Sequence, residues 1–298
     1  MSREKIEDQQ ILVDEMKIDF MRARKKYTAS VLGSFIRNLL AGLVFLQVFA
    51  VRGQTPLPNA HAHNDYEHER PLLDALNEGF TSVEADIFLV KGELYVYHYL
   101  PDSLDSTRTL EELYLKPLST RVKENEGGVY PGYDDFFYLM IDFKTQADST
   151  YMALKPLLQK YSHMLSAVRD GEEERTKPVK VFISGSRPVD QVLAEQVALA
   201  ALDGRVSDLG KEIPAALMPV ISQNMLNYSL WRGRGQMKQS EQDRIKKLVE
   251  RTHAEGKRLR FWANPDNKEG WKKLLELGVD LINTDKLSDY GNFARSGQ

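Results

Sequence analysis

The 298-residue chain contains no cysteine. Disulfides, thiolate nucleophiles and Cys-based zinc sites are therefore excluded, while an oxidising compartment is not. Excess charge of one sign is missing as well. With 40 Lys+Arg against 43 Asp+Glu the formal net charge is −3, and no basic block is dense enough to track a phosphate backbone, so no nucleic-acid partner is expected. Internal linkers are also lacking. The roughly 245 residues after position 53 suit one α/β domain with a substantial buried core.

One uncharged apolar run, residues 39–51, follows Arg22, Arg24, Lys25, Lys26 and Arg37 and precedes Arg52, Gly53 and Gln54. A spanning helix needs about 20 apolar residues and a signal-peptide core about 7–15, so the run reads as an export signal. Extending it back to Val31 brings in Arg37 and Asn38, which makes a retained membrane anchor the alternative reading. No Cys follows it, so lipoprotein anchoring is excluded. The expected organisation is an N-terminal extension with a signal-peptide-like segment over 1–53 and one domain over 54–298, exported to the periplasm or secreted, or membrane-anchored if the signal is uncleaved.

Along the second part, strand-like runs at 81–89, 94–98, 136–143, 179–184, 216–222, 258–263 and 279–283, with a short one leading into His61, alternate with helical patterns at 71–78, 149–161, 189–202, 241–255 and 271–277. Roughly eight strands with interposed helices predict a distorted TIM (β/α)8 barrel. Residues 124–132 and 169–178 read as surface loops from their Gly, Pro and charge density. Only Lys91 and Gly92 and their neighbours separate the second and third strands, too few for a crossover, so a hairpin is expected there. A three-residue loop pairs Val90 with Leu94 and Asp86 with His98, placing Glu84, Asp86 and His98 on one face. A two-residue turn moves His98 to the other face.

Glu84 and Asp86, two residues apart on a strand, share a face and can grip one hard cation. Histidines on either side of such a cation can pass protons to and from a phosphate ester. Four segments carry reactive residues: His61-Ala62-His63-Asn64-Asp65, Glu84-Ala85-Asp86, His98, and Asp142-Phe143-Lys144. In barrel enzymes the chemistry sits at the carboxyl ends of several strands, where these residues fall.

The order of these motifs resembles the phospholipase C-like phosphodiesterase superfamily, which includes glycerophosphodiester phosphodiesterases, bacterial phosphatidylinositol-specific phospholipases C and sphingomyelinase D-type enzymes. The opening HAHNDY, with PLLDAL and SVEAD, looks like the subgroup related to the altered-inheritance-of-mitochondria protein 6. The resemblance runs from about residue 57 to about residue 290. It implies that His61 and His98 are the catalytic histidines, that Glu84, Asp86 and Asp142 are ligands of Mg²⁺ or Ca²⁺, and that Lys144 matches the lysine of the third motif. Phe261-Trp262-Ala263-Asn264 resembles the late strand whose aromatic walls the pocket, and 278–285, GVDLINTD, resembles the last strand. His63, Asn64, Lys144, Trp262 and Asn264 are the expected substrate-binding residues. The usual HRG opening lacks its Arg, since Ala62 follows His61, and Tyr99 stands where an Asp commonly follows the second histidine. Phosphate recognition must therefore use other cations.

The implied reaction is metal-assisted cleavage of a small-molecule or lipid phosphodiester, with His61 as general base and His98 as general acid; membrane contact is expected through the substrate only. Neutralising Glu84 or Asp86 is expected to leave the metal-free fold no worse off, because clustered carboxylates repel. An HxH metallohydrolase using His61 and His63 as ligands, amidohydrolase-like, is the rival enzyme class. A ligand-binding barrel without activity is the rival outside enzymes. One expectation concerns the precursor. Residues 1–20 carry an acidic excess upstream of the basic stretch, which places the translation start at Met21; mass spectrometry of expressed precursor should find no peptide from residues 1–20, and such peptides would contradict it.

Overall fold

The computed structural model describes residues 55–174 and 177–297, together with Met21. The expected signal segment and start site lie outside the described residues, apart from Met21. The chain divides into Met1–Gly53 and Gln54–Gln298, and the second unit carries all the elements described below.

Its strands, among the described residues, are β1 (Leu57–Ala62), β2 (Phe80–Val90), β3 (Glu93–Val96), β4 (Phe137–Phe143), β5 (Ala167–Arg169), β6 (Glu172–Glu174), β7 (Val179–Gly185), β8 (Val197–Ala198), β9 (Ala201–Gly204), β10 (Val220–Asn224), β11 (Arg258–Trp262) and β12 (Leu281–Thr284). Eight of them close a ring in the order β1, β12, β11, β10, β9, β7, β4, β2 and back to β1, with parallel pairing at each step. Helices α1 (Leu73–Asn77), α2 (Lys116–Glu124), α3 (Ala147–Lys160), α4 (Val189–Leu193), α5 (Gln239–His253), α6 (Lys268–Glu276) and α7 (Leu287–Ser296) come between or after the strands. The expected TIM-type barrel is present.

Alternation along β4 shows how the strands serve two cores. Phe137, Leu139, Ile141 and Phe143 join the large apolar cluster, while Phe136, Tyr138 and Met140 join a smaller one with Phe182, Ala201, Val220 and Leu281. Period-two side chains explain the split, since successive residues of a strand point to opposite faces.

Three expectations need correction. The helix expected over 189–202 is helical only at Val189–Leu193, with β8 inside its range and the barrel strand β9 starting at its end; the stretch 197–202, VALAAL, is a continuous apolar run with no period to separate strand from helix. The second hairpin strand, counted among the eight, lies outside the ring, and β9 takes its place. Residues 169–178 are not simply a loop, because β6 pairs antiparallel with β5.

The hairpin register also differs. Val90 pairs with Glu93 and Leu89 with Leu94, so Lys91 and Gly92 alone form the turn, both at positive φ (51° and 90°). That backbone matches the twist of the flanking strands, as two-residue hairpin turns require. His98 nevertheless reaches Asp86, because β3 ends at Val96 and the chain leaves the ladder before His98.

After β1 the chain is pinned by Asp65, which is fully buried. Its Oδ2 accepts from the Leu72 N–H at 2.5 Å and the Tyr114 hydroxyl at 2.9 Å, offsetting the strain of Leu72 at φ +64°. Its Oδ1 is buried without a partner. Burial, opposed by those two hydrogen bonds, pushes the carboxyl up to about 7. The folded state therefore binds more protons than the unfolded state between about pH 4 and 7, so this group's ionisation erodes stability as pH rises through that interval, by on the order of 4 kcal/mol at most. Thermal unfolding of the wild type and Asp65→Asn across pH 5–8 should show the difference moving steadily in favour of the variant as pH rises; a pH-independent difference would contradict this.

Candidate active site

The carboxyl ends of β1, β2, β4 and β11 bring the expected residues together in two linked groups. In the inner group His61, with no exposed surface, places Nδ1 2.7 Å from Ser82 Oγ, its neighbour across the β1–β2 ladder. Its Nε2 lies 3.5 Å from Glu84 Oε2. Arg260, on β11, donates Nη2 to the same Glu84 oxygen at 3.1 Å, Nε to Asn283 Oδ1 at 2.8 Å and Nη1 to Ser222 Oγ at 3.2 Å. Burial opposes ionisation of Glu84, yet Arg260 and the hydrogen bond from His61 overcome it and hold the carboxyl below its usual range. Burial and then Arg260 push the His61 imidazole down to about 4, leaving it neutral at pH 7.

In the outer group Asp86 and Asp142 face one another across the β2–β4 ladder. Lys144 bridges them, with Nζ 2.8 Å from Asp86 Oδ2 and 2.5 Å from Asp142 Oδ2. Burial opposes the Lys144 charge and the two carboxylates prevail, raising its pKa. The Tyr66 hydroxyl lies 2.6 Å from Asp86 Oδ2, 2.9 Å from His98 Nδ1 and 2.8 Å from Asn64 Oδ1. His98 Nδ1 is itself 3.3 Å from Asp86 Oδ2. Burial, then the Glu84 charge, pushes Asp86 up to about 6 against the pull of Lys144.

Other expected residues lie nearby without joining these groups. His63 turns to Asp285 at 2.7 Å, and that bond, against the opposing effect of burial, raises its pKa. Glu84 and Arg260 still act on its charge, so His63 stands beside the inner group while its Nδ1 is engaged by Asp285. Asn264 donates to the Asn283 carbonyl at 3.0 Å, and Trp262 is 42 % exposed at the end of β11.

Sequence reasoning missed Arg260, Ser222, Asn283 and Tyr66. The legible signal for Arg260 was its position between Leu259 and Phe261: both flanking side chains are fully buried in the outer core, so period two turns Arg260 inward.

The three expected metal ligands are not gathered at one point. Among the described residues no group of three or more His, Asp or Glu side chains is arranged to hold a metal; Glu84 is engaged by Arg260, and Asp86 with Asp142 by Lys144. The donor chemistry still fits a hard divalent cation. All three donors are carboxylates, Asp86 Oδ1 is buried without a partner, and neighbouring negative charge of the kind that lifts Asp86 is what a cation relieves.

A parallel eight-stranded barrel with these motifs at its strand ends defines the phospholipase C-like phosphodiesterase superfamily. The chain belongs to the AIM6-like phosphodiesterase domain family, whose model matches residues 50–200; the glycerophosphoryl diester phosphodiesterase family model matches residues 258–288. Similar proteins include the altered inheritance of mitochondria protein 6 homolog of Arthroderma benhamiae, 27 % identical with 80 % of this chain and 83 % of that protein covered. The altered inheritance of mitochondria protein 6 of Eremothecium gossypii is 29 % identical, with 80 % and 69 % covered. A glycerophosphodiester phosphodiesterase structure from Parabacteroides distasonis is 13 % identical, covers 82 % of this chain and 99 % of its own, and has a TM-score of 0.48.

The Arg260 contact corrects one expectation. Glu84→Gln leaves a buried guanidinium without its counter-charge and should lower the stability of metal-free protein by about 1–3 kcal/mol. Asp86→Asn, removing a carboxylate already burdened by its neighbour, should change it by less than about 1 kcal/mol. Thermal unfolding in EDTA measures both, and equal effects would contradict the division of the carboxylates between two cations.

Proposed function

We propose that the protein is a metal-dependent phosphodiesterase, a phosphoric diester hydrolase or phospholipase-type lyase acting on a phospholipid-derived or other phosphodiester. The supporting observation is the chain of contacts that joins His98 and Tyr66 through Asp86 to Lys144 and Asp142 beside the buried His61–Glu84–Arg260 group.

Glu84, Asp86 and Asp142 would hold Mg²⁺ or Ca²⁺, which supplies charge stabilisation at a non-bridging phosphoryl oxygen. His61, neutral at pH 7, accepts the proton of the attacking hydroxyl at Nε2 in the tautomer that keeps its own proton on Nδ1 and donates it to Ser82, with Nε2 released from Glu84. Ser82 orients the ring from the Nδ1 side. Partly exposed His98 donates to the leaving alcohol, with Tyr66 and Asp86 fixing its Nδ1 edge. The two exchange roles in a second, hydrolytic step when a cyclic phosphate forms. Lys144 and Arg260 supply the positive charge that the opening segment lacks at Ala62. His63, Asn64, Trp262 and Asn264 line the approach.

A ligand-binding barrel without activity is the second reading, favoured by the engagement of Glu84 by Arg260 and by the complete burial of His61. Chelation separates them. Activity on a panel of lipid and water-soluble phosphodiesters should vanish in EDTA and return with Mg²⁺ or Ca²⁺ better than with Zn²⁺; absence of turnover on every diester favours the second reading.

Leaving-group dependence tests the histidine roles. His98→Ala should cut cleavage of an alkyl diester by about 10²–10⁴-fold yet spare much of the rate on a nitrophenyl diester, whose leaving group departs as an anion. His61→Ala should impair both. Equal losses in His98→Ala would remove the general-acid assignment.

A further inference from the structure

Several large apolar side chains exposed on the barrel unit gather around the mouth of the site. Tyr99 (81 % exposed) and Leu100 (45 %) follow His98, Leu226 (36 %) and Leu230 (73 %) lie on the connection after β10, and Trp262 (42 %) ends β11. Trp262 pairs in register with Asn224, from which that connection departs, so Trp262, Leu226 and Leu230 belong to one side of the mouth. Tyr99 and Leu100 lie beside His98, on the Asp86 side.

The connection, residues 225–238, contains Arg232, Arg234 and Lys238 and no Asp or Glu, within a chain whose formal net charge is −3. It is held in shape. Trp231 Nε1 donates to the Arg234 carbonyl at 2.9 Å, Arg244 donates to the Tyr228 carbonyl at 2.6 Å, and the Leu230 N–H donates to Glu241 at 3.1 Å. Gly233, at φ +75°, sits where a Cβ would collide with the Asn267 side chain. The backbone thus holds Leu230, Arg232 and Arg234 outward instead of letting Leu230 fold onto the core.

A protein partner demands a contiguous apolar patch that packs as a core. These side chains form two small groups, Tyr99 with Leu100 beside His98 and Trp262 with Leu226 and Leu230 beside the ends of β10 and β11, rather than one such patch. Aromatic and leucyl tips beside Arg232, Arg234 and Lys238, with the one contacting carboxylate, Glu241, taken up by the Leu230 and Lys238 N–H groups, match the headgroup boundary of an anionic bilayer. We propose that this rim seats the barrel mouth on an anionic lipid surface; resting on the phosphodiesterase reading above, the substrate class is then a phosphodiester resident in the bilayer.

The test uses the full chain. The three tryptophans, Trp231, Trp262 and Trp271, all lie in the barrel unit, so quenching by brominated acyl chains reports the barrel and not the N-terminal run. With vesicles of brominated phosphatidylcholine and phosphatidylglycerol, wild-type fluorescence should be quenched, and Trp262→Phe should diminish the quenching, the remainder coming from Trp231 on the same rim. Joint replacement Arg232→Gln and Arg234→Gln should weaken partitioning about thirtyfold, at about 1 kcal/mol for each cation near the surface. Leu230→Ser should slow turnover of a vesicle-borne diester about tenfold and leave a water-soluble one unchanged. No quenching of wild type at saturating lipid, or undiminished quenching in Trp262→Phe, would overturn the proposal. Turnover of a soluble diester without quenching defeats the rim and leaves the catalysis, whereas quenching without turnover of any diester defeats the catalysis and leaves the rim.

Discussion

Inside the barrel, between strands that otherwise fill it with Phe182, Val220 and Leu281, the Arg260–Glu84 pair places two opposite charges in contact at 3.1 Å with almost no exposure. Such a pair is costly to desolvate. It is tolerated here because Asn283 and Ser222 take other guanidinium protons and His61 touches the same carboxylate oxygen. Apolar replacements for buried pairs are often neutral or stabilising, so a pair of this kind is weak evidence for a stability device. Its effect is on the groups around it. Glu84 stays ionised, and the guanidinium adds to burial in keeping His61 neutral.

The outer group depends on that inner one. Burial and then the negative charge on Glu84 raise the Asp86 carboxyl, and Lys144 answers by bridging Asp86 and Asp142. Tyr66 then ties the same carboxylate to His98. Two cations and three carboxylates thus share one strand-end surface, with one neutral histidine beneath it and one partly exposed histidine beside it. On the function proposed above, a divalent cation would enter this charge balance by displacing charges the protein supplies itself.

Much of this was legible in the sequence, and the reasons differ by residue. Glu84, Asp86 and Asp142 were visible because period two on strands makes their faces predictable, and the Asp86–Asp142 register confirms the alignment of those faces. His98 was reached by an incorrect register: the turn has two residues, and contact with Asp86 survives because the strand ends at Val96. Strand β9 was hidden because its first residues end the apolar run 197–202, VALAAL, which carries no period. Arg260 was hidden by its distance along the chain from Glu84, since nothing local in RLRFWAN states which carboxylate the side chain will meet. The division of the carboxylates between Arg260 and Lys144 belongs to that same long-range information.

The charge balance turns on the buried pair, and a double-mutant cycle measures it. Denaturant unfolding of metal-free wild type, Glu84→Gln, Arg260→Met and the double variant should give a coupling of about 3 kcal/mol, with the double variant losing much less than the two single losses added together. Additivity within about 0.5 kcal/mol would show that Arg260 and Glu84 do not act on one another in the folded protein, and the charge balance built on them would fall with it.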